Sequence, residues 1–246
     1  MMSEPCESAP GPADGPLPAR PIQVGDQAYL RVPIRTPVIR REDDLAELIR
    51  AQALPAARPG DVLFISEKVV AITQGRAVAI AELPVSLLAR LLCKAVRRSP
   101  YGVGLKSPYS MQCALDECGT GRILLAAAVG ALGKLVGRRG DFYRVAGRQA
   151  AVIDADGTAG IAEFRPYVIK GPRDPEGVAR GLWEALGLET AVVDVNDLGA
   201  EVLGASPGVD RELLCAGLRD NPLGQGAEQT PMGLFRRPAT AEDDDA

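Results

Sequence analysis

From residue 22 onward the chain alternates short apolar runs with amphipathic stretches of helical period. Residues 42–53 place Leu45, Leu48, Ile49 and Ala53 on one helical face, and Pro55 follows the end. Residues 61–66 (DVLFIS) are an apolar run opened by Pro59-Gly60 and predict a buried strand; residues 69–72 continue the extended pattern. Over 85–98, Leu88, Leu91, Leu92 and Ala95 share a face, with Arg97 and Arg98 at the negative end of the helix dipole. Ser107-Pro108 is an N-cap followed by an N1 proline. It starts a helix through Cys118 that Gly119 ends. Residues 122–129 are apolar throughout and fit either a strand or the start of a helix, because periodicity alone does not separate the two.

Residues 150–153 read as another strand. Asp174-Pro175 opens a helix carrying Val178, Leu182 and Leu186, which Gly187 closes. A buried strand is expected over 190–195, a helix with Leu213, Leu214 and Leu218 over 209–219, and a closing strand over 232–235. Strands and helices alternate without an internal repeat. The class is therefore α/β, with mixed α+β as the alternative. Order is expected over 22–237, with a subdomain boundary where apolar sequence turns polar at 134–141.

Composition narrows the chemistry. Among 246 residues there are 28 Lys plus Arg, 32 Asp plus Glu and no histidine. Ser-His-Asp and Cys-His catalysis, imidazole acid–base work and His-ligated zinc are thereby excluded within one chain. With only 4% aromatic residues, aliphatic side chains must fill the core, and a base-stacking platform for single strands is disfavoured. The net charge of −4 is uneven. The tail residues Glu242, Asp243, Asp244 and Asp245 carry −4, residues 1–21 carry −2, and the body between is near +2. That balance points to neither nucleic acid nor an anionic membrane as partner.

Residues 1–21 hold six prolines and no continuous apolar stretch, so a disordered leader is expected there, not a signal peptide. Residues 238–246 are expected to be a solvated acidic tail. The longest apolar stretch, 123–129, is far below the roughly 20 residues needed to span a bilayer. A cytoplasmic protein is expected. Cysteines at 6, 93, 113, 118 and 215 include no CxxC pair, which argues against a disulfide framework and a thiolate zinc site. Cys93, Cys113 and Cys215 fall in helical apolar patterns and read as buried free thiols.

Two glycine motifs fail as phosphate sites. Gly130-Ala131-Leu132-Gly133-Lys134-Leu135 would need a glycine at Ala128 and a hydroxyl at Leu135. Tyr101-Gly102-Val103-Gly104 lacks the third glycine of a dinucleotide fingerprint and reads as a turn. Acidic residues are more informative. The strand at 190–195 runs into Asp194-Val195-Asn196-Asp197-Leu198-Gly199, at the carboxyl end where α/β proteins hold ligands. Ser206-Pro207-Gly208-Val209-Asp210 opens the next helix, and Asp154 and Asp156 end another expected strand. Oxygen ligands without imidazole favour Mg²⁺ or Mn²⁺, which partner nucleotide phosphates. Any one aspartate alone reads sooner as an N-cap or Asx-turn, while the recurrence of carboxylates after buried strands favours a metal site for the group. The polar loop at 220–231 can bind a polar ligand or serve as a plain connection.

At Ile34-Arg35-Thr36-Pro37-Val38-Ile39, then at Gly60-Asp61-Val62-Leu63-Phe64-Ile65-Ser66, Lys68-Val69-Val70 and Gly75-Arg76, the chain resembles the coenzyme F420-0:L-glutamate ligase family. Its members carry an IRT-x-x-I opening and then GDVLVVTSKVVSKAEGR. The spacing from Lys to Gly-Arg is kept, while the family's Ser, Lys and Glu within it are replaced by Ala71, Ile72 and Gln74. The stretch from Val193 to Gly199 is similar to the family's strand ending in Asp-Thr-x-Gly, with Asn196 and Asp197 at the Asp and Thr positions. The family's AGVDESN motif is not at its expected place, and a Pro-Gly-Val-Asp occurs later, at 207–210.

The resemblance implies mixed sheets flanked by helices and a homodimer that uses GTP with Mg²⁺ or Mn²⁺. The γ-phosphoryl group would pass to the carboxylate of F420-0, and the amine of L-glutamate would attack the acyl phosphate. On that basis Asp194, Asn196, Asp197, Asp210 and Glu228 would hold metal. Lys68 and Arg35 would neutralise phosphate or substrate carboxylate. Ser66, Thr73, Arg76, Asn221, Gln225 and Gln229 would contact substrate or nucleotide. The competing readings are a solvated strand-end lysine for Lys68 and a surface salt bridge for Arg35. For the whole chain they are a ligase with another acceptor, or a non-catalytic regulatory relative that binds nucleotide or metal.

Overall fold

Buried β-branched and aliphatic runs set the centre of the molecule, which is seen in a computed structural model describing residues 14–96, 104–138, 140–155, 161–196, 199–224 and 228–237. In chain order the elements are β1 (Gly15–Pro16), β2 (Arg20–Val24), β3 (Gln27–Arg35), α1 (Leu45–Gln52), β4 (Val62–Ser66), α2 (Glu67–Thr73) and β5 (Ala77–Ala79). Then come α3 (Leu87–Ala95), α4 (Pro108–Cys118), α5 (Thr120–Leu135), α6 (Asp141–Ala146), α7 (Arg148–Ala151), β6 (Asp154–Ala155) and β7 (Tyr167–Ile169). The last are α8 (Pro175–Leu186), β8 (Glu189–Asn196), β9 (Gly199–Ala205), α9 (Arg211–Leu218) and β10 (Met232–Arg236).

The main sheet runs β1-β3-β10-β4-β8-β9, with β2 also paired to β3. β10 is antiparallel to both β3 and β4, while β4 and β8 are parallel, Ser66 standing opposite Val193. It follows that β3, β4 and β8 point the same way and end along one edge. Alternation sorts the side chains. Val32, Ile34, Leu63, Ile65, Val192 and Leu234 pack under α1 and α8, whereas Tyr29, Phe64, Ala191, Val193 and Phe235 pack under α9. Covered on both faces, β4 is apolar from Val62 to Ile65, as strands of this kind are. The expected mixed α/β architecture, a mixed sheet flanked by helices, is what the chain adopts.

A second unit is built from α3 to α7 and the small sheet β5-β7-β6, around Ala89, Met111, Ile123, Ile153 and Val168. Here Gly130 and Gly133 let α6 approach α5. A Cβ at Gly130 would meet Phe142 Cβ at 3.0 Å, and one at Gly133 would strike the Asp141 carboxylate. The segment rejected as a phosphate loop is thus a helix-packing surface. The helices on either side of the stretch 134–141, α5 and α6, pack against each other within the second unit.

Three expectations need correction. Residues 69–72 are helical, in α2, not extended. Val69 and Val70 pack into the main core and Ala71 and Ile72 into a smaller cluster with Phe164, so the helix is buried all round and shows no period. Residues 150–153 are not a strand: Ala150 belongs to α7, and the buried pair Ala150 and Ile153 has helical spacing. Order also begins before Ile22, since Gly15 and Pro16 pair with Arg35 and Ile34, and Arg20 and Pro21 with Arg31 and Leu30. Both prolines sit in strands that border only β3, where a missing N–H is tolerated. The ambiguous stretch 122–129 is helical, within α5.

Caps were readable. Ser107 accepts from the Tyr109 amide and Asp174 from that of Gly177, while Gly119 and Gly187 end α4 and α8 with positive φ. Cys93 and Cys113 are buried thiols, and Cys118 and Cys215 are half-buried; Cys6 lies outside the described residues. No single helix among the described residues is long and apolar enough to cross a membrane.

Candidate functional site

At the carboxyl end of β4 the chain passes directly into α2. The Ser66 amide donates to the Pro231 carbonyl at 2.8 Å, which fixes the strand end against the residue before β10. Glu67, the first residue of α2, is only 4% exposed, and its Oε2 has no hydrogen-bond partner. Burial pushes this carboxyl up to about 8, and the charges of Asp194 and Asp154 add to the effect while Lys68 and Arg148 oppose it. At neutral pH the group is mostly protonated.

Lys68 lies beside it, its Nζ 3.2 Å from Asp154 Oδ2 in β6. Burial lowers the affinity of this amine for its proton, but Asp154, Glu67 and Asp194 outweigh that and raise it. Lys68 therefore stays an ammonium. Asp194, near the end of β8, accepts from Asn196 Nδ2 at 3.3 Å. Across the β8–β9 hairpin Asp194 pairs with Glu201, whose carboxylate meets Arg148 of α7 at 2.6 Å. Four carboxyl groups, of Glu67, Asp154, Asp194 and Glu201, thus converge with one ammonium and one guanidinium where the main sheet's edge meets the second unit.

The other expected residues divide. Arg35, Glu228 and Gln229 come together at the end of β3 on the same edge. Arg35 Nε donates to the Glu228 carbonyl at 3.2 Å, and the Thr36 amide to the Gln229 carbonyl at 2.9 Å. Gln229 and Asn221 both have positive φ, at 53° and 52°. Asn221 follows α9, and its Oδ1 is buried without a hydrogen-bond partner. Thr73 and Arg76 are spoken for. Thr73 Oγ1 bonds the Val69 and Val70 carbonyls inside α2 at 3.3 and 3.1 Å. Arg76 is buried, donates to the Gly171 carbonyl and meets Glu117 at 2.6 Å, bracing β5 against α4. Asp197 and Gln225, like Asp156, lie outside the described residues.

Of the metal set read from the sequence, the described members Asp194, Asp210 and Glu228 stand apart, and Asp197 lies outside the described residues. Asp210 caps α9, accepting from the Leu213 amide at 3.0 Å. It sits beside Glu189, the first residue of β8, to which the Gly208 amide donates at 3.1 Å. Asp194 is five residues along that strand, roughly 16 Å away. Glu228 belongs with Arg35 at β3. Among the described residues no group of three or more Asp, Glu or Cys side chains is placed to hold an ion. Asp210 instead serves a helix terminus, and Asp154 is paired with Lys68.

A family model of F420-0:gamma-glutamyl ligase matches residues 33–196, more than half of the chain. The chain belongs to that family. The resemblance seen at the Ile34-Arg35-Thr36 opening and at the Lys68 stretch is therefore a true relationship, and the protein is of a ligase family, with small molecules as its substrates. The matched range contains Glu67, Lys68, Arg148, Asp154, Asp194 and Asn196. It stops before Asp210, Asn221, Glu228 and Gln229, and before β10 at the centre of the main sheet.

Glu67 escaped sequence reasoning. Its position was visible, as a charge between the apolar run 61–66 and the apolar run 69–72. A carboxylate flanked on both sides by buried residues is itself a signal, because few acids are buried without a role. Arg148 carried no such mark.

Proposed function

We propose that this protein joins a carboxylate to the amine of an amino acid, adding L-glutamate to an F420-0-like acceptor through an acyl phosphate. An oxygen of the acceptor carboxylate attacks the γ-phosphorus of GTP, forming acyl phosphate and GDP. The glutamate amine then attacks the acyl carbon, the carbon–oxygen bond to phosphate breaks, and an amide remains. The observation that carries this reading is the buried, unpartnered carboxyl of Glu67 beside the Lys68–Asp154 pair at the carboxyl ends of β4 and β8.

An amine arrives as ammonium and must lose a proton before it can attack. In a chain with no histidine, a carboxyl whose affinity for the proton is raised to about 8 suits that transfer near neutral pH. Glu67 in its ionised form accepts the proton at Oε2. Lys68, kept charged by its acidic neighbours, neutralises the transferring phosphoryl group and the acyl phosphate. Arg35, at the same edge, meets a substrate carboxylate. Ser66, Asn221, Gln225 and Gln229 supply polar contacts.

Mg²⁺ or Mn²⁺ is expected to come with the nucleotide. Such an ion needs only one or two protein carboxylates beside the phosphates, not a dedicated cage. Of the described members of the expected metal set, Asp194 and Asn196 lie in the cluster, and the Asp194 carboxylate would meet the ion, which would neutralise phosphate charge.

Incubation of the purified protein with F420-0, L-glutamate, GTP and Mn²⁺, followed by mass spectrometry, tests the reading. The expected product is the acceptor heavier by one or more glutamyl residues, with one GDP formed for each. Absence of both product and GTP turnover sinks it. Product with another acid in place of F420-0 would keep the chemistry and change the acceptor.

A further inference from the structure

We infer that the exposed face of α5 docks this protein onto an anionic lipid surface. Gly133, Gly130, Ala126 and Ile123 form the buried side of α5, against the rest of the second unit. On the opposite side, at 100° per residue, Leu124, Leu125, Leu132 and Leu135 fall within an arc of roughly 100°. They are between 43% and 82% exposed, and Val136 beyond the helix end is 73% exposed. Four leucines on the outer side of one helix form a contiguous apolar surface, which needs a cover.

The charge around that face decides what covers it. The described residues of 83–150 include eight Lys and Arg against three Asp and Glu, a charge of +5 in a chain of net −4. The near-neutral average of the body had concealed this. Arg122 and Lys134 flank the leucine arc on its two sides at helical spacing. At the end of α5, a depression of about 420 Å³ is lined by Val129, Leu132, Leu135, Val136 and Val145. Arg138 and Arg144 border it and share the single carboxylate of Asp141, leaving excess positive charge at the rim.

An apolar stripe with a basic border is complementary to acyl chains beneath anionic headgroups. A second copy of this chain would instead set two basic borders against each other. The acidic tail at 242–245 offers charge but no apolar side chain. With sixteen residues, α5 is about 24 Å long, shorter than a bilayer's hydrocarbon core of about 30 Å. It therefore lies in the interface and does not span.

Co-sedimentation of the full chain with vesicles tests this, using phosphatidylglycerol mixed with phosphatidylcholine, and phosphatidylcholine alone. At low salt the chain should partition at least tenfold more strongly onto the anionic vesicles, and 0.5 M NaCl should remove most of that preference. Leu125→Asp with Leu132→Asp should lower binding at least tenfold with the far-UV spectrum unchanged. Leu135→Gln, at the exposed helix end, gives a second reading should the double change disturb folding. No binding to either vesicle, or equal binding to both, overturns the inference. So does a dimer in light scattering that the same substitutions turn into monomer, since that assigns the face to a second copy.

Discussion

Lys68 Nζ stands 3.2 Å from Asp154 Oδ2, and this contact ties the carboxyl end of β4 to the first residue of β6. With Arg148–Glu201, it is one of two charge pairs that the main sheet and the second unit share near the buried Glu67. Lys68→Met should remove the cation while keeping most of the side chain's bulk. Transition-state electrostatics of this kind are worth about 10² to 10³ in rate, so kcat for amide formation should fall by at least about 100-fold. The melting temperature should move by only a few degrees, because the pair is part-exposed and such pairs contribute about 1 kcal/mol or less. Turnover of Lys68→Met close to that of the parent protein would remove Lys68 from the mechanism.

Glu67 predicts two pH profiles of opposite sense. Its ionised form is the proton acceptor, so the rate should rise with pH and level off above about 8, and Glu67→Gln should be slow and lack that rise. Stability should run the other way. The folded-state value of about 8 lies above the ordinary 4.5 of the unfolded chain, so between them the native state holds a proton that the unfolded state has released. The contribution is complete below 4.5 and is lost as pH rises through 8. Thermal melts from pH 5 to 9 should show a decline that Glu67→Gln lessens. Equal declines in both proteins would mean that the carboxyl is not held neutral.

Legibility followed how each residue is buried. Helix α8 was readable from Asp174-Pro175 to Gly187 because its caps are chemical and its outer face is wet. β8 and β10 were readable as short apolar runs. α2 was not, since burial on every side erases the 3.6-residue period that distinguishes a helix from a strand. The site was half-legible for a related reason. Lys68 and Asp194 declare themselves at strand ends, but only the fold brings Asp154 to Lys68 from 86 positions away. Asp210, read with Asp194 as a ligand, illustrates the converse: an aspartate before a helix is first of all a cap.

Two glycines should respond in opposite directions to alanine. Gly204 in β9 has the Pro175–Glu176 backbone pressed against it, where a methyl group would enter the first turn of α8. Backbone cannot rotate away, so Gly204→Ala should destabilise by about 1–3 kcal/mol. Gly181, inside α8, has open space at its Cβ position. Gly181→Ala should stabilise by about 0.5–1 kcal/mol, the usual cost of glycine within a helix. Denaturant midpoints read both, and a shift of the same sign for the two would contradict the packing of α8 on β9.

The family match ends at residue 196, yet the sheet closes only with β10, which lies between β3 and β4. Arg236 fixes its end. Its Nε and one terminal nitrogen donate to the Asp61 carboxylate at 2.8 and 2.7 Å, and the same terminal nitrogen reaches the Ala56 carbonyl at 2.7 Å. The side chain of Asp61 is 1% exposed and also accepts from the Arg58 amide. Breaking a buried, two-pronged pair strands a charge, so Arg236→Met should cost about 3–5 kcal/mol. Replacing both partners together, as Asp61→Asn with Arg236→Met, should cost less than Arg236→Met alone, because no uncompensated carboxylate remains. A chain ended after residue 231 would leave β3 and β4 with facing unpaired edges and should not fold cooperatively. Urea titrations of the three proteins test this ordering, and a cooperative transition for the shortened chain would show that β10 is dispensable.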